Sequence, residues 1–254
     1  VAKKTKKPKI SYWLLILIPI LLGGLGAGAW YWYNKPRFVR YPGFGIAIPV
    51  NYRIHGIDVS KYQGAIDWPE VRSMEIKGIK IGFCFIKATE GVNDTDRRFA
   101  RNWRWSKQVG IPRGAYHFFN PYRSGTEQAN NFISTVSLEK GDLPPVLDIE
   151  QAGSVSKLQL QQRVADWLKK VEQHYGVKPV IYSGADFYEQ YLAGHCDDYP
   201  FWIAHYLVRE KPRARRNWHF WQHNETGRVN GIDARVDYNV FNGDSAAFKK
   251  LLIQ

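Results

Sequence analysis

From residue 54 onward the chain alternates short apolar runs with helix-patterned stretches, and this alternation restricts the fold more than any other feature. Eight runs read as strands: 54–59, 81–88, 113–119, 146–150, 179–182, 201–204, 219–222 and a last one near 235–239. Helical patterns fill most gaps between them, at 68–77, 97–109, 126–137, 157–175 and 186–192, and a closing helix is expected at 245–252. Eight strands with mostly helical crossovers predict an α/β chain folded as a β/α barrel. The barrel should be irregular in its second half, where few helices separate the last three strands. An open doubly wound sheet is the alternative. No G-x-G-x-x-G or P-loop string is present, so nothing points to a nucleotide.

In a barrel, chemistry gathers at the carboxyl ends of the strands. Those ends, in chain order, carry Asp58, Lys87 with Glu90 just beyond, His117, Asp148 with Glu150, Tyr182, His205, Gln222 and Asp237. The pair Asp148-Ile149-Glu150 is the most informative. Residues two apart in a strand point to one face, with Cα atoms about 6–7 Å apart. Two acids held that close repel when both are ionised, so their pKa values split. One carboxyl is then protonated to donate and one is charged to stabilise, which glycoside hydrolysis requires. Asp58 and Asp237 each also suit a cap or a turn. His117 and His205 suit either the orientation of a carboxylate or a plain structural place.

Charge and aromatic content narrow the partner. The net charge is +13, yet nine Lys and Arg and no acid precede Asp58. Residues 58–254 hold 27 basic and 23 acidic residues, a net +4. The basic excess belongs mainly to the leader, so no nucleic-acid partner is expected. Aromatics make up 15% of the chain, which suits a carbohydrate site or a heavily packed core. Cys84 lies in an apolar run and Cys196 in a polar loop, and nothing shows that they meet. His219 and His223 would stand about 13 Å apart along a strand, so no metal site is read there. No cofactor is implied. Lys87 and Glu90 read as an ion pair near the rim, and 209–216 as a solvated basic loop.

The leader divides into a basic segment, 1–9, and an uncharged run, 10–33. The run is 24 residues long. As a helix it covers about 36 Å, enough for a hydrocarbon core of about 30 Å. The run reads as one N-terminal transmembrane helix, a single-pass anchor in the cytoplasmic membrane. Its lysine-rich side would stay cytoplasmic and its Trp30–Tyr33 belt would lie at the outer interface. The alternative is a cleaved signal peptide ending near Ala27-Gly28-Ala29, which makes the product secreted. Either option places the remainder on the extracytoplasmic side. Residues 34–53 read as a linker and lead-in strand, and 54–254 as the catalytic domain.

Eight strings in one order complete the pattern: His55-Gly-Ile-Asp-Val-Ser, Gln63-Gly-Ala-Ile-Asp-Trp, Phe85-Ile-Lys-Ala-Thr-Glu-Gly, Arg113-Gly-Ala-Tyr-His-Phe, Leu147-Asp-Ile-Glu, Trp202-Ile-Ala, Phe220-Trp-Gln and Val236-Asp-Tyr-Asn. Together they resemble glycoside hydrolase family 25, the N-acetylmuramidases or Chalaropsis-type lysozymes, over about residues 54–243. The resemblance implies a flattened β/α barrel that cleaves the β-1,4 bond between N-acetylmuramic acid and N-acetylglucosamine in the peptidoglycan glycan strand. It matches the family's acidic set to Asp58, Asp148, Glu150 and Asp237, with Glu150 as general acid. Asp148 shares Glu150's side of the strand, so it is poorly placed to attack the opposite face of the sugar. Two routes stay open. The substrate's 2-acetamido group attacks with Asp148 assisting, or Asp58 or Asp237 acts from across the site. Tyr116, Tyr182, Trp202 and Trp221 are expected to stack on or hydrogen-bond the substrate, with a place in the core as the alternative for Trp202 and Trp221. The rival readings are a membrane-tethered peptidoglycan-binding pseudoenzyme and a hydrolase of chitin-like glycan.

Overall fold

The computed structural model describes residues 12–34, 37–208 and 210–254. The basic segment 1–9, the first two residues of the apolar run and Arg209 of the basic loop lie outside the described residues. The chain divides into two compact units, one ending at Arg37 and the other running Phe38–Gln254.

The first unit holds α1 (Tyr12–Asn34), a helix of 23 residues with Pro19 inside it and no charged residue. Its unbroken run of described side chains, residues 17–30, is exposed throughout. That run covers about 21 Å as a helix. Among the described residues, no helix is long and apolar enough to cross a membrane.

The second unit opens with β1 (Phe38–Tyr41) and β2 (Ile46–Pro49), followed by β3 (Ile54–Val59), α2 (Trp68–Ser73), β4 (Glu75–Ile76), β5 (Ile79–Glu90), β6 (Asp94–Thr95) and α3 (Phe99–Gln108). Next come β7 (Arg113–Phe118), α4 (Gly125–Thr135), β8 (Val146–Asp148), α5 (Lys157–Tyr175), β9 (Val180–Gly184) and α6 (Ala185–Phe187), which runs into one π-helical turn. The chain finishes with β10 (Phe201–Ala204), β11 (Phe220–Val229), β12 (Ile232–Phe241) and α7 (Ser245–Leu251). Strands β3, β5, β7, β8, β9, β10, β11 and β12 close on one another as a barrel, because β3 pairs with both β5 and β12. The barrel is mixed. β12 runs antiparallel to both of its neighbours, while the other six neighbouring pairs are parallel.

Local chemistry explains the element ends. α5 starts at Ser156, whose side chain forms a reciprocal capping box with Gln159, and it stops at Gly176 with φ 71°. The sequence reads a helix over 68–77, but α2 ends at Ser73. Lys77 and Gly78 both take positive φ, 51° and 81°, and make the tight turn that joins β4 to β5.

The barrel has two apolar shells. Phe83, Phe85, Val146, Val180, Trp202, Phe220 and Phe241 fill the interior, with Phe248 of α7 packed against them. The outer shell lies between the strands and the helices. β11 and β12 are joined by a hairpin rather than by a crossover helix, so their outer face lacks helical cover. The β1–β2 hairpin supplies that cover. Phe44, Ile46 and Ile48 are buried. Phe38 meets Trp221 edge-on at 5.9 Å, and Phe44 lies 5.6 Å from Tyr238. The reading of 34–53 as linker and lead-in strand is therefore corrected over 38–49. That stretch is part of the folded unit, and its alternating Phe44, Ile46 and Ile48 bury one face.

Candidate active site

Strand parity builds the site. The inward residues are Gly56 and Asp58 on β3, Phe83, Phe85 and Lys87 on β5, and Gly114 and Tyr116 on β7. They continue with Val146 and Asp148 on β8, Val180 and Tyr182 on β9, Trp202 on β10, Phe220 and Gln222 on β11, and Asp237, Asn239 and Phe241 on β12. Aromatic rings form the floor and polar groups the mouth. Gly56 and Gly114 make room for that floor. A Cβ at Gly56 would stand 2.5 Å from the Phe83 ring, and one at Gly114 2.6 Å from the Phe85 ring.

Above the floor lies a cavity of about 310 Å³, lined among others by Asp58, Tyr116, Asp148, Glu150, Tyr182, Trp202 and Asp237. Seven of the eight residues singled out from the sequence thus converge. Wider grooves occur outside the mouth, one of about 490 Å³ over Asp67–Glu70 and Arg101, but the strand ends do not meet there.

Trp221 does not belong to the cavity, and its reading as a substrate-binding residue is corrected. It neighbours two inward residues, Phe220 and Gln222, so the two-residue period turns it outward. It is fully buried under Phe38 and Tyr52, and its indole N–H donates to the His205 carbonyl at 2.8 Å. His117 also faces outward, bonded to Thr89 and Gln128 and stacked on Trp167. His205 accepts from the Arg213 amide. Neither histidine lines the cavity. Lys87 and Glu90 form the expected ion pair, at 2.7 Å. Cys84 and Cys196 are both buried and free.

The acids form two pairs. Asp58 and Asp237 are direct cross-strand partners on β3 and β12, where Cβ atoms stand about 4.5–5.5 Å apart. Asp237 makes Asp58 harder to ionise, whereas Asp58 eases the ionisation of Asp237. Asp58 Oδ2 accepts from Gln222 Nε2 at 2.8 Å and from Asn239 Nδ2 at 2.7 Å. Trp202 fixes the Asn239 amide by donating Nε1–H to its oxygen at 2.8 Å. Burial, and then Asp237, push Asp58 well above the ordinary carboxylate range. Burial raises Asp237 to about 6.

The second pair, Asp148 and Glu150, stands on β8 and just past its end. Asp148 is 8% exposed, and its Oδ1 is buried with no hydrogen-bond partner among the described residues. Burial raises Asp148 well above the ordinary range, Glu150 raises it further, and Lys87 opposes. Glu150 is exposed at the rim. Its carboxyl is raised by desolvation, against the Tyr182 hydroxyl and Lys87. Around the barrel, β8 is three strands from β3 one way and four from β12 the other way. The two pairs therefore occupy opposite walls of the mouth.

Two acid pairs across a sugar-sized cavity are suited to glycosidic chemistry, and the relatives agree. The model of Glycosyl hydrolases family 25 matches residues 57–232. The chain belongs to this family. Lysozyme M1 of Streptomyces globisporus is 38% identical over 208 residues, which cover 76% of this chain and 69% of that protein. Uncharacterized protein YegX of Escherichia coli strain K12 is 50% identical over 200 residues, covering 79% and 74%. The structure of a family 25 glycosyl hydrolase from Bacillus anthracis superposes with a TM-score of 0.74 at 32% identity, covering 81% of this chain and 96% of that one.

Several residues in or directly beneath the cavity carry no role in the sequence reading of this family 25 site. Gln222 stands at a strand end, but its residue type alone implies no role. Asn239 shares parity with Asp237 two residues away, and Tyr206 sits two residues beyond Ala204. Parity counted along each strand would have found the first two. Glu225 lines the cavity from beyond a register irregularity in β11, and no simple count reaches it.

Proposed function

We propose that Glu150 is the general acid and that Asp148 assists the substrate's 2-acetamido group. As a family 25 glycosidase, the chain is a peptidoglycan hydrolase of the lysozyme type, and the bond assigned to it is the β-1,4 link from N-acetylmuramic acid to N-acetylglucosamine. The observation that carries the roles is the unpartnered, buried Asp148 Oδ1 beside the rim carboxyl of Glu150. A buried acceptor without a donor is costly in the free enzyme. An acetamido N–H entering the cavity would satisfy it. Glu150 then protonates the glycosidic oxygen while the acetamido carbonyl oxygen attacks the anomeric carbon. The nitrogen gains positive character as its N–H bonds Asp148, whose raised pKa falls beside that charge, so that its carboxylate form stabilises the charge in a site shielded from water. Water later opens the cyclic intermediate, with Glu150 taking back a proton.

Asp237 supports a second reading. It lies on the opposite wall, and its pKa of about 6 suits a base that activates water. The anomeric form of the first product separates the readings, since acetamido attack gives retention and direct water attack gives inversion. Mass spectrometry of fragments released from purified peptidoglycan tests the bond itself. Reducing muramic-acid ends are expected, and reducing glucosamine ends would overturn the assignment.

For location, we infer that residues 10–33 anchor the enzyme with its barrel on the extracytoplasmic side. The uncharged run 10–33 and the five lysines in residues 3–9 support this. Protease added to spheroplasts should digest the barrel and spare the lysine-rich end. A barrel that survives in intact spheroplasts and is digested only after lysis sinks the orientation.

A further inference from the structure

Glu150 stands outside the strand ladder. β8 ends at Asp148, paired there with Tyr182, and Glu150 lies two residues further on. Ile149 is still held, because its N–H donates to the Tyr182 carbonyl at 3.0 Å and its own carbonyl accepts from Ser183 Oγ at 2.8 Å. Strand pairing does not place the segment from Glu150 to Ser156, where α5 is capped. The loop that follows β7 takes hold of the chain on both sides of Glu150. The Phe119 N–H donates to the Asp148 carbonyl at 2.8 Å. Beyond Glu150, the Ser154 N–H donates to the Tyr122 hydroxyl oxygen at 3.1 Å. Gly153 brings the backbone right up to that hydroxyl. Its φ is 57°, and a Cβ there would stand 2.3 Å from the Tyr122 oxygen, so conformation and space both call for glycine.

The holding loop is itself tied down. Gln128 of α4 is fully buried, its Oε1 accepts from the Asn120 N–H at 2.7 Å, and its Nε2 donates to the Asn120 carbonyl at 3.0 Å. Asn120 Oδ1 in turn accepts from the Tyr122 N–H at 2.9 Å. Arg163 of α5 donates to the Pro121 carbonyl. The Tyr122 hydroxyl is thus offered to Ser154 from a fixed frame. We propose that Tyr122 is a positioning residue for Glu150: its hydroxyl oxygen pins Ser154 and, with the Phe119–Asp148 bond on the other side, holds the acid-bearing segment at the rim. The proposal rests on Glu150 being the general acid. Tyr122 takes no part in the proton transfer. It acts by placement, and a shift of about 1 Å in a catalytic group is enough to cost rate heavily.

The placement has a titration signature. Asp148 acts on Glu150 from its own strand, Lys87 from β5, Tyr182 from β9 and Asp237 from across the mouth. None of these groups is altered by a change at Tyr122. Desolvation is the largest influence on Glu150 and raises its pKa. A loosened segment admits water to Glu150, so its pKa should fall towards the ordinary value. The rate of an enzyme that needs Glu150 protonated then declines at lower pH.

The test is Tyr122→Phe in the full chain, assayed on soluble peptidoglycan fragments. Tyr122 is 56% exposed, so the variant keeps its fold and loses only the acceptor of the Ser154 N–H. Turnover, kcat, should fall by about 3–10-fold with KM little changed, and the basic limb of the pH profile should move down. Amide hydrogen exchange should quicken in peptides covering 150–156. Gly153→Ala displaces the same phenol from the other side and should reproduce these effects, and adding Tyr122→Phe to it should cost little more. A raised KM with kcat intact makes Tyr122 a sugar contact and overturns the proposal. An unmoved limb, unchanged exchange in 150–156, or additive losses in the double variant overturn it as well. Failure of the parent reading shows up separately, as near-normal turnover in Glu150→Gln.

Discussion

The two walls of the cavity hold the same kind of chemistry in different states of completion. On the β3–β12 wall, Asp58 and Asp237 face each other across an antiparallel pair, and Gln222 and Asn239 both reach Asp58. Trp202 locks one of those amides and two tyrosines lock the other. On the β8 wall, Asp148 keeps a buried oxygen with no partner among the described residues, and Glu150 stands at the rim. The fold itself completes the first pair, whereas the second is left for a substrate to complete. An unsatisfied buried acceptor is a place where the protein gives up stability, and such places concentrate where function needs them. Under the proposed mechanism, the β8 pair breaks the bond and the β3–β12 pair holds the shape and charge of the opposite wall.

The largest effect that can break this contrast is at Glu150. Glu150→Gln keeps the shape and loses the proton, so turnover on peptidoglycan should fall by about 10²–10⁴-fold, with unchanged thermal unfolding. A folded variant with near-normal turnover would reverse the roles of the two walls. Asp148→Asn comes next, with an expected loss of about 10²–10³-fold on acetylated glycan. Its distinctive signature is substrate dependence. On glycan whose 2-acetamido groups have been removed, wild type should already be slow, and Asp148→Asn should add little further loss. A full additional loss on that substrate would place Asp148 in direct contact with Glu150's work rather than with the acetamido group.

Much of this contrast was legible in the sequence, for a physical reason. Strands reveal themselves by apolar runs, and their carboxyl ends then name the mouth residues. Ile54–Val59, Lys157–Tyr175 and Phe201–Ala204 fall where the pattern places them. Errors arise where a residue's meaning depends on a distant partner. Trp221 suits either a sugar platform or the core by its residue type, and the β1–β2 hairpin, far off in sequence, decides for the core by packing against it. That hairpin itself was read as linker because its Pro and Gly residues mark turns without saying what the intervening Phe44, Ile46 and Ile48 bury. Asn239 and Gln222 are ordinary amides in sequence. Only the closure of β12 onto β3 brings them to Asp58.

The smallest and finest probe of the contrast is stability against pH. A carboxyl whose pKa is raised on folding stabilises the fold fully below its unfolded value and loses that contribution as pH rises through its folded value. For Asp237 the window runs from the ordinary 3.8 to about 6. Above that window, wild type must hold the Asp237 carboxylate charged in a largely buried site beside Asp58. Asp237→Asn replaces the acceptor with a neutral group of similar size that bonds Asp58 through its amide oxygen. The variant should therefore match wild type near pH 4 and become more stable above pH 6, by about 1 kcal/mol, or a melting temperature some 2–4 °C higher for a unit of this size. Activity should fall in the same variant, since a charged wall facing the developing positive charge is lost. Melting curves at pH 4 and pH 8 check the sign. If Asp237→Asn is less stable than wild type at pH 8, the Asp237 charge stabilises the β3–β12 wall by more than its burial costs. The two walls would then differ in position alone, not in their state of completion.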